Sequence, residues 1–305
     1  MARRRRGLPM NGVLLLDKPA GVSSNHALQR VRRLFQAQKA GHTGTLDPMA
    51  TGLLPVCFGE ATKFSAHLLE ADKVYRTRVE LGAITDTGDA EGEVVERREV
   101  PRLTEADVEG VLERFRGELD QVPPMYSALK HQGRKLYELA REGKSIKRAA
   151  RRVTVYDARL LALADTAFDL EVRVSKGTYI RTLAEDIGQV LGCGAHISAL
   201  RRLETGPFTE EGMLTLDALE AMAGQAEREA VLLPVDVLVD HLPRLEVTGP
   251  AARQLTHGQV ARVETGELSG DETARLYCDG AFLGLGVVAG PQEVAPKRLL
   301  STAAD

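Results

Sequence analysis

The apolar positions of the chain change period several times, and each change marks an element. Ala27, Leu28, Val31, Leu34 and Phe35 recur at helical spacing behind Ser23 and Ser24, either of which can cap a helix there. Residues 36–52 lose that period and are punctuated by Gly41, Gly44, Pro48 and Gly52, which predicts a loop. From Val74 to Leu81 the alternation puts Tyr75, Thr77, Val79 and Leu81 on one face of a strand. Thr104 opens a second helix, built on Val108, Val111, Leu112 and Phe115. The stretch Phe168–Val174 alternates almost without fault and reads as a half-buried antiparallel strand. It leads through Lys176–Arg181 into a helix on Leu183, Ile187, Val190 and Leu191 that Gly192 ends. Strands and helices mixed this irregularly predict an α+β fold rather than a doubly wound sheet.

After about Leu245 the texture changes to short runs between turn residues. Val260–Val263, Ala274–Cys278 and Phe282–Val288 read as strands, with Asp279-Gly280 as a hairpin turn. A small β domain, about 60 residues long and barrel-like, is expected there.

Composition narrows the class. With 305 residues, 43% hydrophobic and 27% charged, the chain has material for a sizeable core and room for two domains. No apolar run approaches the roughly 18 residues of a membrane span. The run Val13–Leu16 behind Arg3–Arg6 is too short for a signal peptide, so a cytoplasmic protein is expected. Cys57, Cys193 and Cys278 are three in number and far apart, which fits neither a disulfide framework nor a cysteine zinc site.

Charge adds a direction. The net charge is −3, yet residues 1–42 hold nine Lys/Arg against one acid, Asp17. Residues 80–122 hold thirteen acids against five bases, and residues 125–152 hold nine bases against Glu138 and Glu142. Residues 209–242 turn acidic again, with eight acids and Arg228. A single charge run is usually a solvated face. Two basic blocks around an acidic one favour a basic face that attracts a polyanion such as nucleic acid.

The densest local signal is Gly41-His-Thr-Gly-Thr-Leu-Asp-Pro48. It lacks the Lys-Ser/Thr ending of a P-loop and the glycine spacing of a dinucleotide fold. Taken alone, Asp47 before Pro48 reads as a turn initiator sooner than as a catalytic carboxylate. His42 has no second histidine at ligand spacing, so no metal site is expected. Tyr75 reads by default as a core aromatic, and Arg181 as a surface charge at a helix end.

Together these features carry a resemblance. GHTGTLDPMATGLLPVCFGEATKF (41–64) is similar to the catalytic motif of the bacterial tRNA pseudouridine-55 synthases, the TruB family. LLLDKPAGVSSNHAL (14–28) resembles that family's Lys-Pro motif, and DKVYRTRVELGAITDTGDAEG (72–92) its tyrosine segment. PPMYSALKHQGRKLYELAREG (123–143) resembles its basic RNA-gripping insertion, and SKGTYIRTLAEDIGQVLGCGAHISALRRLETGPF (175–208) its third catalytic motif. The matches run in order over about residues 10–210, and the tail resembles the family's PUA domain more loosely.

The resemblance implies a pseudouridine synthase fold: a central mixed, mostly antiparallel sheet with a catalytic cleft, plus a small C-terminal β-barrel of PUA type. It divides the chain into a basic arm (1–9), a catalytic domain (10–244, with the insertion at about 123–152) and an RNA-binding domain (245–305). The implied activity is isomerisation of uridine 55 in the T-loop of tRNA, by flipping the base and then breaking and remaking its glycosidic bond. Asp47 matches the catalytic aspartate, Arg181 the cation that holds it, and Tyr75 the tyrosine that stacks on uracil and is placed to help remove the C5 proton. His42 matches the residue that fills the vacated stack, while Tyr179 and Leu200 match pocket positions. Lys18 falls among the RNA-site positions, though with Pro19 it reads as a support of the cleft. Lys130, Arg134 and Lys135 would grip the T-arm. The reaction oxidises nothing and imports no group, so no cofactor and no metal are implied. A monomer with no obligatory protein partner is expected. Two other readings stand beside it: a tRNA-binding or folding protein with secondary catalysis, and a subunit of a guide-RNA-dependent synthase.

Overall fold

The computed structural model describes residues 7–301, so the Arg3–Arg6 block of the expected arm lies outside the described residues. Just behind it, the Leu8 N–H donates to Gln36 O at 2.7 Å, which ties the chain to the end of the first helix. In chain order come β1 (Gly12–Lys18), α1 (Ser24–Leu34), β2 (Ala40–His42), β3 (Thr51–Phe58), α2 (Ser65–Glu70) and β4 (Lys73–Leu81). A ribbon of β5 (Ala83–Thr85) and β6 (Val94–Arg97) precedes α3 (Glu105–Phe115) and β7 (Gly117–Gln121). The basic stretch forms a second ribbon, β8 (Lys130–His131) with β9 (Arg134–Lys135), and then α4 (Leu136–Arg141). Next are β10 (Arg151–Ala164), β11 (Ala167–Val174), α5 (Ile180–Val190) and β12 (Ala195–Thr205). A last parallel edge strand, β13 (Leu214–Thr215), is followed by α6 (Leu216–Ala221) and α7 (Gln225–Ala230).

Nine of these strands form one sheet in the order β13-β1-β3-β12-β4-β11-β10-β7, with β2 also paired to β3. Only the β1/β13 and β3/β12 pairings are parallel, so the expected mixed, mostly antiparallel sheet is observed. Ser23 caps α1, accepting from the His26 N–H, and Thr104 with Asp107 closes a capping box on α3.

Two central strands, β1 and β3, were not anticipated, and β3 begins inside the predicted 36–52 loop, as does β2. The reason is their surroundings. Val13, Leu15, Leu53 and Cys57 enter one core while Leu14, Leu16, Leu54 and Val56 enter another on the opposite face. A strand covered on both sides carries no alternation to read.

The C-terminal unit holds β14 (Arg244–Glu246), α8 (Gly249–Thr256), β15 (Ala261–Arg262), β16 (Thr273–Cys278), β17 (Ala281–Gly290) and β18 (Glu293–Leu299). Its sheet runs β14-β16-β17-β18-β15 with unpaired end strands, so the expected small barrel is found as a curled half-barrel rather than a closed one. Bulges along β17 bend it over Leu255 of α8 and the small core around Leu276, and β14 and β15 at the two ends stay unpaired with each other. The hairpin turn is as expected, with Asp279 and Gly280 both at positive φ (50° and 77°). The unit is seated firmly on the rest. Phe282 meets Phe64 at 5.6 Å between ring centroids, and Tyr277 donates to Asp236 at 2.5 Å.

Candidate active site

A cleft of about 320 Å³ opens beside β12 and β4, lined among others by Asp47, Tyr75, Tyr179, Arg181, Leu200 and Arg202. A larger hollow of about 560 Å³ lies along α2, lined by His67, Pro207 and His241, and holds neither Asp47 nor Arg181.

The loop that carries Asp47 is fastened from several directions. Because Ser23 serves as the cap, the next residue, Ser24, is free to bond both backbone groups of Leu46, donating to its carbonyl at 2.9 Å and accepting from its N–H at 2.8 Å. The Gly21 N–H donates to Pro48 O at 2.9 Å. Lys18 donates to Pro48 O as well, at 3.2 Å, and to the carbonyls of Pro19 and Val22 at 2.8 and 2.7 Å. Arg202 holds Gly44 O at 3.2 Å and Leu53 O at 2.7 Å. Such ties fix the carboxylate before any substrate arrives.

Arg181, in the first turn of α5, is 4% exposed and not the surface charge its position suggested. Its Nε lies 3.1 Å from Asp47 Oδ2, and its Nη1 and Nη2 donate to Thr87 O at 2.7 Å and Tyr126 O at 2.6 Å. A second carboxylate, the buried Asp89, stands 3.6 Å from Nη1. Asp89 is held by Thr87 Oγ1 at 2.6 Å and the Glu91 N–H at 3.1 Å, with its chain bonded onto β12 through Ile197. One guanidinium thus sits between two acids, with a buried carboxylate behind it and the cleft in front. The Tyr179 backbone that starts α5 is clamped by Gln121, which accepts from its N–H at 2.7 Å and donates to its carbonyl at 3.1 Å.

Burial raises the Asp47 pKa above its ordinary 3.8; Arg181 opposes this, Asp89 reinforces it, Lys18 opposes it, and the net shift is upward. An acid with a raised folded pKa favours its protonated form, so the stability it lends is lost as pH rises through that pKa. The acidic limb of the pH–rate profile should therefore lie above the ordinary aspartate range in single-turnover assays. A limb at 3.8 or below would show that the cleft does not hold the carboxylate as described.

The structure gathers Asp47, Arg181, Tyr75, Tyr179 and Leu200 around one cleft and leaves other expected residues elsewhere. Tyr75 lies on β4 opposite Arg202 of β12. Lys18, grouped with the RNA-site positions, is wholly buried with its ammonium given to three carbonyls, so it has no proton free for a phosphate. Burial pulls its pKa down to about 8. His42 sits on β2, outside the cleft lining; among the described residues its buried Nδ1 has no partner, and burial and then Arg202 lower its pKa. Lys130 and Arg134 are exposed on the β8–β9 hairpin, where Arg134 pairs with Glu142, and Lys135 lies 5.4 Å from the Tyr137 ring.

Sequence reasoning missed Ser24, Asp89, Gln121 and Arg202. Asp89 and Arg202 stood inside segments that carried the resemblance, but nothing local distinguished them from surface charges. Among the described residues, no group of three or more His, Cys, Asp or Glu side chains is placed to hold a metal, and no helix is long and apolar enough to cross a membrane.

Comparison with known proteins agrees in every part of the chain. Residues 32–180 match the TruB family pseudouridylate synthase N-terminal domain, 181–240 the tRNA pseudouridylate synthase B C-terminal domain, and 243–300 the pseudouridine synthase II TruB C-terminal region. The tRNA pseudouridine synthase B of Chromohalobacter salexigens is 68% identical over 303 residues, 99% of this chain and 98% of that one. That of Azoarcus sp. is 54% identical over 96% of both chains. One chain of the crystal structure of a Cbf5-Nop10-Gar1 complex superposes with a TM-score of 0.70 at 27% identity, covering 92% of this chain and 79% of that one. The chain belongs to the TruB family, and its activity is that of a tRNA pseudouridine synthase, an isomerase.

Proposed function

We propose that the chain isomerises uridine 55 in the T-loop of tRNA, working alone as a monomer on the flipped base. The observation that carries this reading is the Asp47–Arg181 pair at 3.1 Å, set in a cleft that also presents Tyr75. An ionised carboxylate is a competent covalent catalyst. A guanidinium keeps it ionised and aimed because it does not itself deprotonate. Extruding the base costs a few kcal/mol, which contacts to the surrounding RNA must offset. In this reading His42 fills the vacated stack as a neutral ring. Tyr75 stacks on the uracil after the glycosidic bond breaks and helps take the C5 proton, and Tyr179 and Leu200 bound the pocket. The catalytic domain spans 10–244, and 245–305 serves as a PUA-like RNA-binding domain in the cytoplasm.

The test is tritium release from C5-labelled uridine in an unmodified tRNA transcript. One equivalent per tRNA, abolished when uridine 55 is replaced, is expected. Tight binding without release would move the protein to an RNA-folding role.

The hairpin and α4 supply the grip in this scheme. Replacing Lys130, Arg134 and Lys135 together should weaken tRNA binding and lower the salt dependence of log Kd by roughly 2–3, leaving the single-turnover rate at saturation unchanged. The lower end applies if Glu142 already neutralises Arg134. Normal affinity with slowed chemistry would overturn the assignment.

A further inference from the structure

Arg202 presents an electrostatic problem that the roles described so far do not resolve. It is 1% exposed, the bulkiest of the fully buried side chains, and lines the cleft directly opposite Tyr75 across the β4–β12 pairing. Arginine is almost never buried to this degree without a carboxylate. Yet among the described residues it forms no ion pair, and its only partners are the carbonyls of Leu53 and Gly44. Lys73 repeats the pattern in the same cleft. It is 7% exposed and donates to the carbonyls of Leu68, Leu69 and Ala71 at the end of α2, with Asp72 close enough to be felt but not to pair. Burial, and then Arg202, pull the Lys73 pKa down to about 8, which leaves it mostly protonated at pH 7, so the cleft is lined by positive charge that no ion pair among the described residues neutralises.

The ties say what kind of anion this charge awaits. All three Lys73 protons are committed to carbonyls, while Arg202 gives its Nε proton and one Nη2 proton to carbonyls and, among the described residues, its Nη1 has no partner. Groups buried this deeply make poor grips for a phosphate, which needs exposed donors. They still exert a strong field, because their burial limits screening by solvent. We infer that Arg202, seconded by Lys73, stabilises the negative charge that appears on the uracil ring when its bond to the ribose breaks.

This inference rests on the proposed cleavage and re-formation of the glycosidic bond. As the C1′–N1 bond breaks, its electron pair stays with the uracil, and the Asp47 carboxylate meets the deficit at C1′. The freed ring turns, and C5 attacks C1′ as the carboxylate leaves. C5 then gives up its proton, and N1 takes one. Between the first step and the third the ring is an anion, held next to Tyr75 in the reading above. Fixed charge aimed where charge develops accelerates the step without tightening the ground state.

The experiment compares Arg202→Gln and Arg202→Lys with the wild type in single-turnover reactions on uridine-containing and 5-fluorouridine-containing tRNA. 5-Fluorouracil is the more acidic base, so its anion needs less help. With uridine, Arg202→Gln should bind tRNA normally and react roughly 10²-fold more slowly, and Arg202→Lys should recover part of the rate. With 5-fluorouridine, read as its consumption and so independent of C5 deprotonation, the Arg202→Gln deficit should shrink to below about tenfold. An equal deficit on both substrates would reduce Arg202 to a loop anchor. A weaker Kd with a shallower salt dependence and unchanged chemistry would make it a phosphate grip, and no change at all would also overturn the inference. If neither Arg202 variant binds tRNA, the same comparison on Lys73→Met decides. Failure of the wild type to consume either substrate would instead overturn the proposed reaction itself.

Discussion

Asp47→Asn is expected to leave a folded, tRNA-binding protein that forms no pseudouridine. The single-turnover rate should fall by at least ~10³-fold, since the amide can neither attack nor carry charge. The fold should survive because Arg181 does not depend on Asp47 alone. It keeps Thr87 O, Tyr126 O and the buried Asp89. The loop also keeps its ties to Ser24, Lys18 and Arg202, none of which involves the Asp47 side chain. Since Asp47 has a raised pKa, its ionised form costs stability at neutral pH, and the amide should melt no lower than the wild type. Loss of tRNA binding or a lowered melting temperature would mean that the carboxylate is structural.

Arg181→Met should fail differently, losing stability as well as turnover. Its guanidinium is the cation facing Asp89, which is 5% exposed. Removing it strands a buried carboxylate and leaves Thr87 O and Tyr126 O without their donor. Breaking a buried pair from one side costs about 3–5 kcal/mol. The urea midpoint should fall accordingly, and Asp89→Asn in the same chain should restore part of the loss, because the stranded charge is then gone. Arg181→Lys keeps the charge but not the fork, so it should fold better than the Met variant and still react slowly. A Met variant as stable as the wild type would show that Asp89 is not paired as the geometry indicates.

The site was legible in the sequence where chemistry is written locally. Asp47 stands in a dense motif, and Tyr75 and Arg181 in segments long enough to carry a resemblance. Asp89 was hidden because it is one acid in a block of thirteen, and only the bonding of its loop to β12 brings it behind Arg181. Arg202 was hidden by its neighbour. Two adjacent arginines give no sign of which one faces solvent, and on a strand adjacent side chains point oppositely. Arg201 goes to Asp17 and Glu210 and Arg202 into the interior. The fold shows the same division. Alternating strands such as β4 and β11 and capped helices such as α1 and α3 could be read directly, whereas β1 and β3, buried on both faces, could not. Turn chemistry placed the Asp279-Gly280 hairpin, but the curl of the C-terminal sheet depends on bulges that no turn residue announces.

The order of the large sheet also bears on how the molecule is made. β3 and β4 follow one another in the chain but do not pair, because β12, more than a hundred residues later, lies between them. On the ribosome the first half of the protein emerges with a vacant slot at its centre. Two unpaired strand edges face each other across it, each a template for the wrong neighbour. The slot is filled only when residues 195–205 arrive, and the same strand brings Leu200 and Arg202 into the cleft. Structural closure and a competent pocket therefore come from one insertion, so a nascent chain that is still open, and so prone to aggregate, is also one that cannot yet act on RNA.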